Sequence, residues 1–234
     1  MKISVIVRTN NEEANLERFV RSYVKWVDHI LVQDDESKDI QYLFDTVFKY
    51  PKVQLDFYDG DRIVAGDITR AYHHIQLNSM IEWAEVIGSD WIIMDDCDCF
   101  PNESLKKDAR KLMSTTTKDF IYAIKVHVYK NKGYLSKMSR KDGRWLQNIW
   151  AWRANKGFKF IDNGVHGQRF DLIDEDKKDY IPTPYATLHH GWPDDETIEL
   201  KRTRYTAIYG DEYKDFHPLN FGGSIVELPE WAKE

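Results

Sequence analysis

Three short apolar runs in this chain end in the same way. ISVIV, residues 3–7, runs into Arg8, Thr9, Asn10 and Asn11; HILVQ runs into Asp34, Asp35, Glu36 and Ser37; DWIIM runs into Asp95, Asp96, Cys97 and Asp98. Runs this short and this continuous suit strands buried on both faces, as in a parallel sheet. Between the first two, Leu16, Phe19, Val20, Tyr23, Val24 and Val27 recur at helical spacing. Residues 40–48 read as a second helix and 53–58 as a third strand. Residues 68–87 have helical periodicity, with Gly88 as the stop, and 91–94 form a fourth strand. Strand and helix therefore alternate, which predicts a parallel sheet with crossover helices. In such sheets ligands bind beyond the carboxyl ends of the strands, where the polar clusters fall.

After Pro101 the pattern changes. Residues 103–113 read as a helix and 120–129 as a strand. Residues 130–143 are basic and glycine-containing, and read as a mobile loop. Residues 145–153 are rich in aromatics, and a helix is expected from 196 to about 209. The tail holds Pro218, Gly222, Gly223 and Pro229 and receives no assigned structure. Without repeats or a linker, the expectation is one α/β domain over 1–234. Its sheet is Rossmann-like, mostly parallel and flanked by helices; 1–101 is a nucleotide-binding half, and 102–234 an irregular acceptor-binding half and tail.

The acidic cluster raises a chemical question. Close carboxylates raise each other's pKa and cost stability unless something neutralises them. A divalent cation does so, and all-oxygen ligands suit Mg²⁺ or Mn²⁺. Asp96 and Asp98 are two apart, so in an extended chain they share a face while Asp95 points the other way, into the fold. The competing reading is a solvated acidic turn capping the helix that starts near Asn102. The preceding strand and the other polar strand ends favour the metal.

Composition narrows the class further. The chain has 234 residues, with 8 Trp, 13 Tyr and 11 Phe, enough for a large core and for aromatics lining a cleft. A net charge of −6 without a basic run weighs against nucleic acid as a partner. Cys97 and Cys99 are too close for a disulfide framework, and no second pair completes a zinc site. They read as small, semi-buried residues of a reducing compartment. The N-terminal apolar run is too short for a signal peptide, and no stretch is long enough for a transmembrane segment. A soluble cytoplasmic protein is expected, with peripheral membrane contact left open.

ISVIVRTNNEEANLERFVRSYVKWVDHILVQDDESKD resembles the opening of glycosyltransferase family 2, whose members have the GT-A fold. DWIIMDDCDCFP resembles its DxD strand. WAWRANKGFKFIDNGVHGQ and LHHGWPDDETIELKRTRY are similar, in order, to later segments of its cell-wall and lipopolysaccharide-core branch. The resemblance spans roughly residues 1–209. It implies metal-dependent, inverting transfer of a sugar from a nucleotide-diphosphate-sugar donor, most often a UDP-sugar, to a glycan, glycoprotein or glycolipid. It implies that Thr9, Asn11, Glu12, Asp34 and Asp35 hold the nucleotide. Asp96 would lie near ribose and metal, and Asp98 would bind Mn²⁺ or Mg²⁺. Arg70, Lys201, Arg202 and Arg204 are candidate cations for the diphosphate, Lys201 and Arg204 being one helical turn apart. His190, beside Gly191, is the candidate third metal or phosphate ligand, whereas His73 and His74 read as structural. Trp145, Trp150 and Trp152 suit either acceptor stacking or the core.

Three positions depart from the family pattern. Arg8 replaces a small residue or proline, Glu36 replaces glycine, and Gly167 stands where a catalytic glutamate is usual. Asp162 is then the candidate base, with His166, Asp194 and Asp195 as alternatives. Two rival functions follow: a non-catalytic nucleotide-sugar-binding module that has lost its base, and a sugar-phosphate nucleotidyltransferase. The second needs a glycine-rich loop after the first strand, which RTNNEE lacks.

Overall fold

The structure is a computed structural model that describes all residues except 66, 67, 72, 143, 162–168, 171, 172, 216, 233 and 234. The side chains of residues 14, 62–65, 68–71, 73, 169, 170, 208, 209, 212 and 221 also lie outside the description.

The first run becomes β1 (Ile3–Thr9), followed by α1 (Glu13–Tyr23), β2 (His29–Asp34), α2 (Gln41–Lys49) and β3 (Val53–Phe57). The helical face read from sequence is the buried one: Leu16, Phe19, Val20, Tyr23 and Val27 are almost wholly enclosed beneath the sheet. Burying each such side chain contributes roughly 1.5–3 kcal/mol. The helix expected from residue 68 begins only at His73. Ahead of it lies a hairpin, β4 (Arg62–Ala65) and β5 (Ile68–Ala71), paired antiparallel. Ile63, Val64, Ile68 and Thr69 are β-branched and flank a Gly-Asp pair, a hairpin signature that outweighs helical periodicity. Then come α3 (His73–Val86) and β6 (Trp91–Met94).

In the second half, β7 (Cys99–Pro101), α4 (Glu103–Thr115) and β8 (Phe120–Tyr129) follow the acidic turn. Residues 130–143, expected as a loop, instead carry β9 (Gly133–Leu135), the single-turn α5 (Ser136–Ser139) and β10 (Arg140–Lys141), which pairs with β11 (Arg144–Trp145). The aromatic stretch is β12 (Gln147–Arg153), followed by β13 (Phe160–Ile161), β14 (Arg169–Phe170), β15 (Lys178–Tyr180), β16 (Ala186–Trp192) and α6 (Asp195–Tyr209). The tail forms α7 (Pro218–Gly222) and β17 (Ile225–Val226), which pairs with β9. That pairing needs Gly133: a Cβ there would stand 2.3 Å from the Val226 carbonyl oxygen.

The main sheet runs β17-β9-β8-β12-β6-β1-β2-β3. β6, β1, β2 and β3 are parallel, as the alternation predicted, and β12 is antiparallel to both neighbours. β15 and β16 lie parallel along β8, and β16 also pairs antiparallel with β7. This is the mixed α/β architecture with helices flanking a mostly parallel sheet. Trp150 and Trp152 are buried in the core, leaving them no face for an acceptor. Trp145 packs between Tyr134 and Trp231. Among the described residues, no helix is long and apolar enough to cross a membrane.

Candidate active site

The β1–α1 and β2–α2 loops are tied together at the carboxyl end of the sheet. Asp34, at the end of β2, accepts from the Ser37 backbone N–H at 2.9 Å and from its hydroxyl at 2.5 Å. Ser37 Oγ in turn accepts the Asn11 N–H at 2.7 Å. Tyr42 Oη lies 3.0 Å from Ser37 Oγ and 3.3 Å from Thr9 Oγ1. The Asn10 amide donates to the Asp35 carbonyl. Thr9, Asn11, Asp34 and Asp35 are therefore brought to one place, with the polar groups of Thr9, Asn11 and Asp34 largely holding the loops in shape. Two non-glycine residues in these loops, Asn11 and Glu36, have φ of 55° and 58°. Glu36 thus keeps a left-handed backbone at the position where the family pattern has glycine.

At the end of β6 the chain turns rather than staying extended. The Cys99 N–H donates to the Asp96 carbonyl at 2.8 Å, so Asp96 and Asp98 converge through a tight turn rather than by strand alternation. Asp95 points inward and accepts from the Tyr23 hydroxyl. Burial pushes its carboxyl up to about 7, against Lys125 and the Tyr23 hydrogen bond.

Because β16 pairs with both β7 and β8, His189 lies opposite Cys99 on one side and His127 on the other. Ligand-type atoms of Asp96, Asp98, Cys99 and His189 all lie within 4.8 Å of one another. His189 Nε2 is 3.4 Å from Asp98 Oδ1. His190, the candidate third ligand from sequence, is outside this group. Its ring packs 5.5 Å from that of Phe100, and its backbone N–H donates to the Asp98 carbonyl at 2.8 Å. Adjacent residues on a strand face opposite ways, so only one of the two histidines can serve the turn. Gly191 makes the space: a Cβ there would stand 2.6 Å from His189 Nε2 and 3.2 Å from Lys201 Nζ.

Each carboxylate also has cations beside it. Lys125 Nζ is 3.1 Å from Asp96 Oδ2, and Arg8 Nη2 is 3.9 Å from Asp96 Oδ1. Lys201 Nζ is 3.4 Å from Asp98 Oδ2 and donates to the Gly191 carbonyl at 2.8 Å. Burial pushes the Asp98 carboxyl up, but His189, Lys201 and Lys125 more than reverse this and hold it well below the usual carboxylate range. Burial likewise raises Asp96, and Lys125 and Arg8 overcome it despite Asp98. The Asp98 side chain is 13% exposed and that of Asp96 42%, so Asp96 forms the open lip of the site. Burial drives the Cys97 and Cys99 thiols well above their ordinary value, and both are free thiols. The hard carboxylates of Asp96 and Asp98 suit Mn²⁺ or Mg²⁺, and the borderline imidazole of His189 favours Mn²⁺ of the two; the neutral Cys99 thiol is a soft neighbour such an ion does not need.

Glu12 faces the same space. Burial raises its carboxyl, against its hydrogen bond from Asn15, and it senses Asp98, Lys201 and Arg204. The side chain of Arg70 and the residues Asp162, His166 and Gly167 lie outside the described residues. Asp194 caps α6 by accepting the Thr197 N–H at 2.7 Å, and Asp195 pairs with Lys130 at 2.5 Å. Arg202 pairs with Glu199 on the exposed side of α6. Lys125 and His127 were not singled out from sequence. Their spacing on an otherwise apolar strand, FIYAIKVHVY, was the available signal: residues two apart share a face.

Sheet order, flanking helices and the acidic turn after β6 together define a GT-A-type fold. No family model and no curated protein sequence matches the chain. Among solved structures, it is similar to S. aureus TarS 1–349 in complex with UDP (TM-score 0.57, 15% identity, covering 92% of this chain and 68% of that one). The same protein in complex with UDP-GlcNAc matches with TM-score 0.54, 16% identity and coverage of 92% and 69%. The chain covers 41% of a longer TarS structure. A mycobacterial protein matches at TM-score 0.51, with 10% identity over 90% of this chain and 75% of that one.

Proposed function

We propose that the chain is a nucleotide-sugar-dependent glycosyltransferase that inverts configuration as it moves a sugar to a glycan or glycoconjugate acceptor. The observation that carries this reading is the convergence of Asp96, Asp98 and His189 beside Lys125 and Lys201, at the strand-end face of a GT-A-type sheet. TarS structures in complex with UDP and with UDP-GlcNAc make uridine diphosphate sugars the first donors to try.

The chemistry asks the protein to bind a diphosphate and stabilise it as it leaves. Asp96, Asp98 and His189 would hold Mn²⁺ or Mg²⁺, and that ion would offset charge developing on the leaving diphosphate. Lys201, fixed by the Gly191 carbonyl, and Lys125 supply positive charge on either side. Arg204, one turn after Lys201, extends the cationic face. The loops carrying Thr9, Asn11, Glu12, Asp34 and Asp35 are assigned to the nucleoside. The proton of the acceptor hydroxyl is assigned to Asp162, with His166 as the alternative, on sequence grounds alone.

The test is calorimetric titration with nucleotide sugars, with Mn²⁺ and with chelator, on wild type and Asp98→Ala, followed by assay of nucleoside diphosphate release. Binding that needs the ion and is lost in Asp98→Ala supports the reading. Tight binding indifferent to both removes the metal from it. Donor binding without any nucleoside diphosphate release, across an acceptor panel, favours the binding-module reading instead.

A further inference from the structure

We infer that His127 is a positioning residue for the site: its ring nitrogen accepts the Nδ1–H of His189 and turns the Nε2 lone pair of His189 toward Asp96 and Asp98. The direction of this hydrogen bond rests on the metal reading above; the close approach of the two ring nitrogens does not.

His127 Nδ1 and His189 Nδ1 are 2.8 Å apart. Two ring nitrogens at that distance must share one proton, and which ring carries it fixes both tautomers. The other nitrogen of His189 decides the direction. Its Nε2 lies 3.4 Å from Asp98 Oδ1, too long for a charge-assisted N–H···O⁻ bond of roughly 2.7–2.9 Å. It is near the separation of two neighbouring ligands on one ion with bonds of about 2.1 Å, which is about 3 Å at right angles. A proton on His189 Nε2 would block that nitrogen as a ligand. With an ion on Nε2 the proton therefore sits on His189 Nδ1, His127 accepts it, and His127 carries its own proton on Nε2.

The arrangement is held from several directions. The two residues are register partners on the parallel strands β8 and β16. The backbone N–H of His127 donates to Ser139 Oγ at 2.9 Å, which ties this point of β8 to α5. The rings meet edge-on at 85°, and Trp192 packs against both, 5.7 Å from His127 and 5.1 Å from His189. Ligating histidines ordinarily need such an outer partner, and its loss costs roughly 10–100-fold in metal affinity. Here the partner is a second histidine.

The experiment reads both levels. Calorimetry measures Mn²⁺ binding to wild type, His127→Asn and His127→Phe. Asparagine places an amide oxygen near the former Nδ1 and keeps an acceptor; phenylalanine keeps a ring without one. The expected results are Mn²⁺ binding weakened roughly 10–100-fold in His127→Phe, and near-wild-type binding in His127→Asn. Mn²⁺ binding to His127→Phe as tight as to wild type, or to His127→Asn as weak as to His127→Phe, overturns the inference. A wild type that binds no Mn²⁺ overturns the metal reading and, with it, the direction assigned to this bond.

Discussion

Lys125 and Asp96 meet at 3.1 Å although β12 lies between their strands in the sheet. The lysine reaches across the strand ends to a carboxylate that would also bind the ion, so amine and cation compete for its charge. Replacing it with an uncharged chain of similar length should make the site more negative. Lys125→Met is expected to bind Mn²⁺ at least about tenfold more tightly, since even a screened charge a few ångström away is worth more than that. Binding of UDP in the presence of chelator should weaken at the same time. Calorimetry with each ligand separately checks both halves.

Gly191 sets the position of two functional side chains at once. A single methyl group there overlaps His189 Nε2 and crowds Lys201 Nζ, while the backbone has no need of a glycine conformation. Gly191→Ala should therefore fold with an unchanged far-ultraviolet circular dichroism spectrum. It should lose metal affinity by roughly 10–100-fold, the cost of misplacing a ligand. A Mn²⁺ titration by electron paramagnetic resonance measures this directly.

Asp28 offers a pH-dependent stability term remote from the acidic turn. Its Oδ2 accepts from the Ile3 N–H at 2.8 Å and from Arg110 at 2.7 Å. Burial raises its carboxyl, but these hydrogen bonds bring it below the ordinary value. A depressed folded-state pKa stabilises above the unfolded value, near 3.9, and the gain disappears as pH falls through the folded value. The group is partly exposed, so screening limits the gain to about 1 kcal/mol at most. Urea midpoints of Asp28→Asn should lie below wild type at pH 7, and the gap should close as pH falls below about 4.

Glu36 holds a φ of 58° without the freedom of glycine. A left-handed residue with a side chain carries about 1–2 kcal/mol of strain. Glycine removes that strain but gains freedom in the unfolded chain, worth roughly 0.5–1 kcal/mol. Glu36→Gly should be neutral or stabilising by up to about 1.5 kcal/mol, while the β-branched Glu36→Val should be clearly destabilising. Chemical denaturation of the pair separates strain from side-chain effects.

The parallel half of the sheet was legible because its strands are continuous apolar runs and α1 has a strict buried face. The β4–β5 hairpin was not, because helical spacing in residues 68–87 overlapped a β-branched segment whose Gly-Asp pair in the sequence carried the stronger signal. The acidic turn was legible as a cluster, and its inward Asp95 followed from side-chain alternation. How Asp96 and Asp98 converge did not follow, since a turn between β6 and β7 depends on pairing with a strand some ninety residues later. The same long-range pairing decides between His189 and His190, two identical neighbours in sequence that differ only in the face they present. Lys125 and His127 were visible as an alternating polar pair, but nothing local says that β8 runs beside the acidic turn.

Asn102 joins the two halves at a single buried side chain. Its Oδ1 caps α4 by accepting the Leu105 N–H at 3.0 Å, and its amide donates to the carbonyls of Pro184 at 2.6 Å and Trp231 at 2.7 Å. The last of these partners lies 129 positions downstream. During synthesis, at roughly 5–20 residues per second, α1, β1 and β2 can assemble while this asparagine still waits for its final acceptor. The acidic turn, four residues before it, thus gains its full support only once Trp231 has left the ribosome.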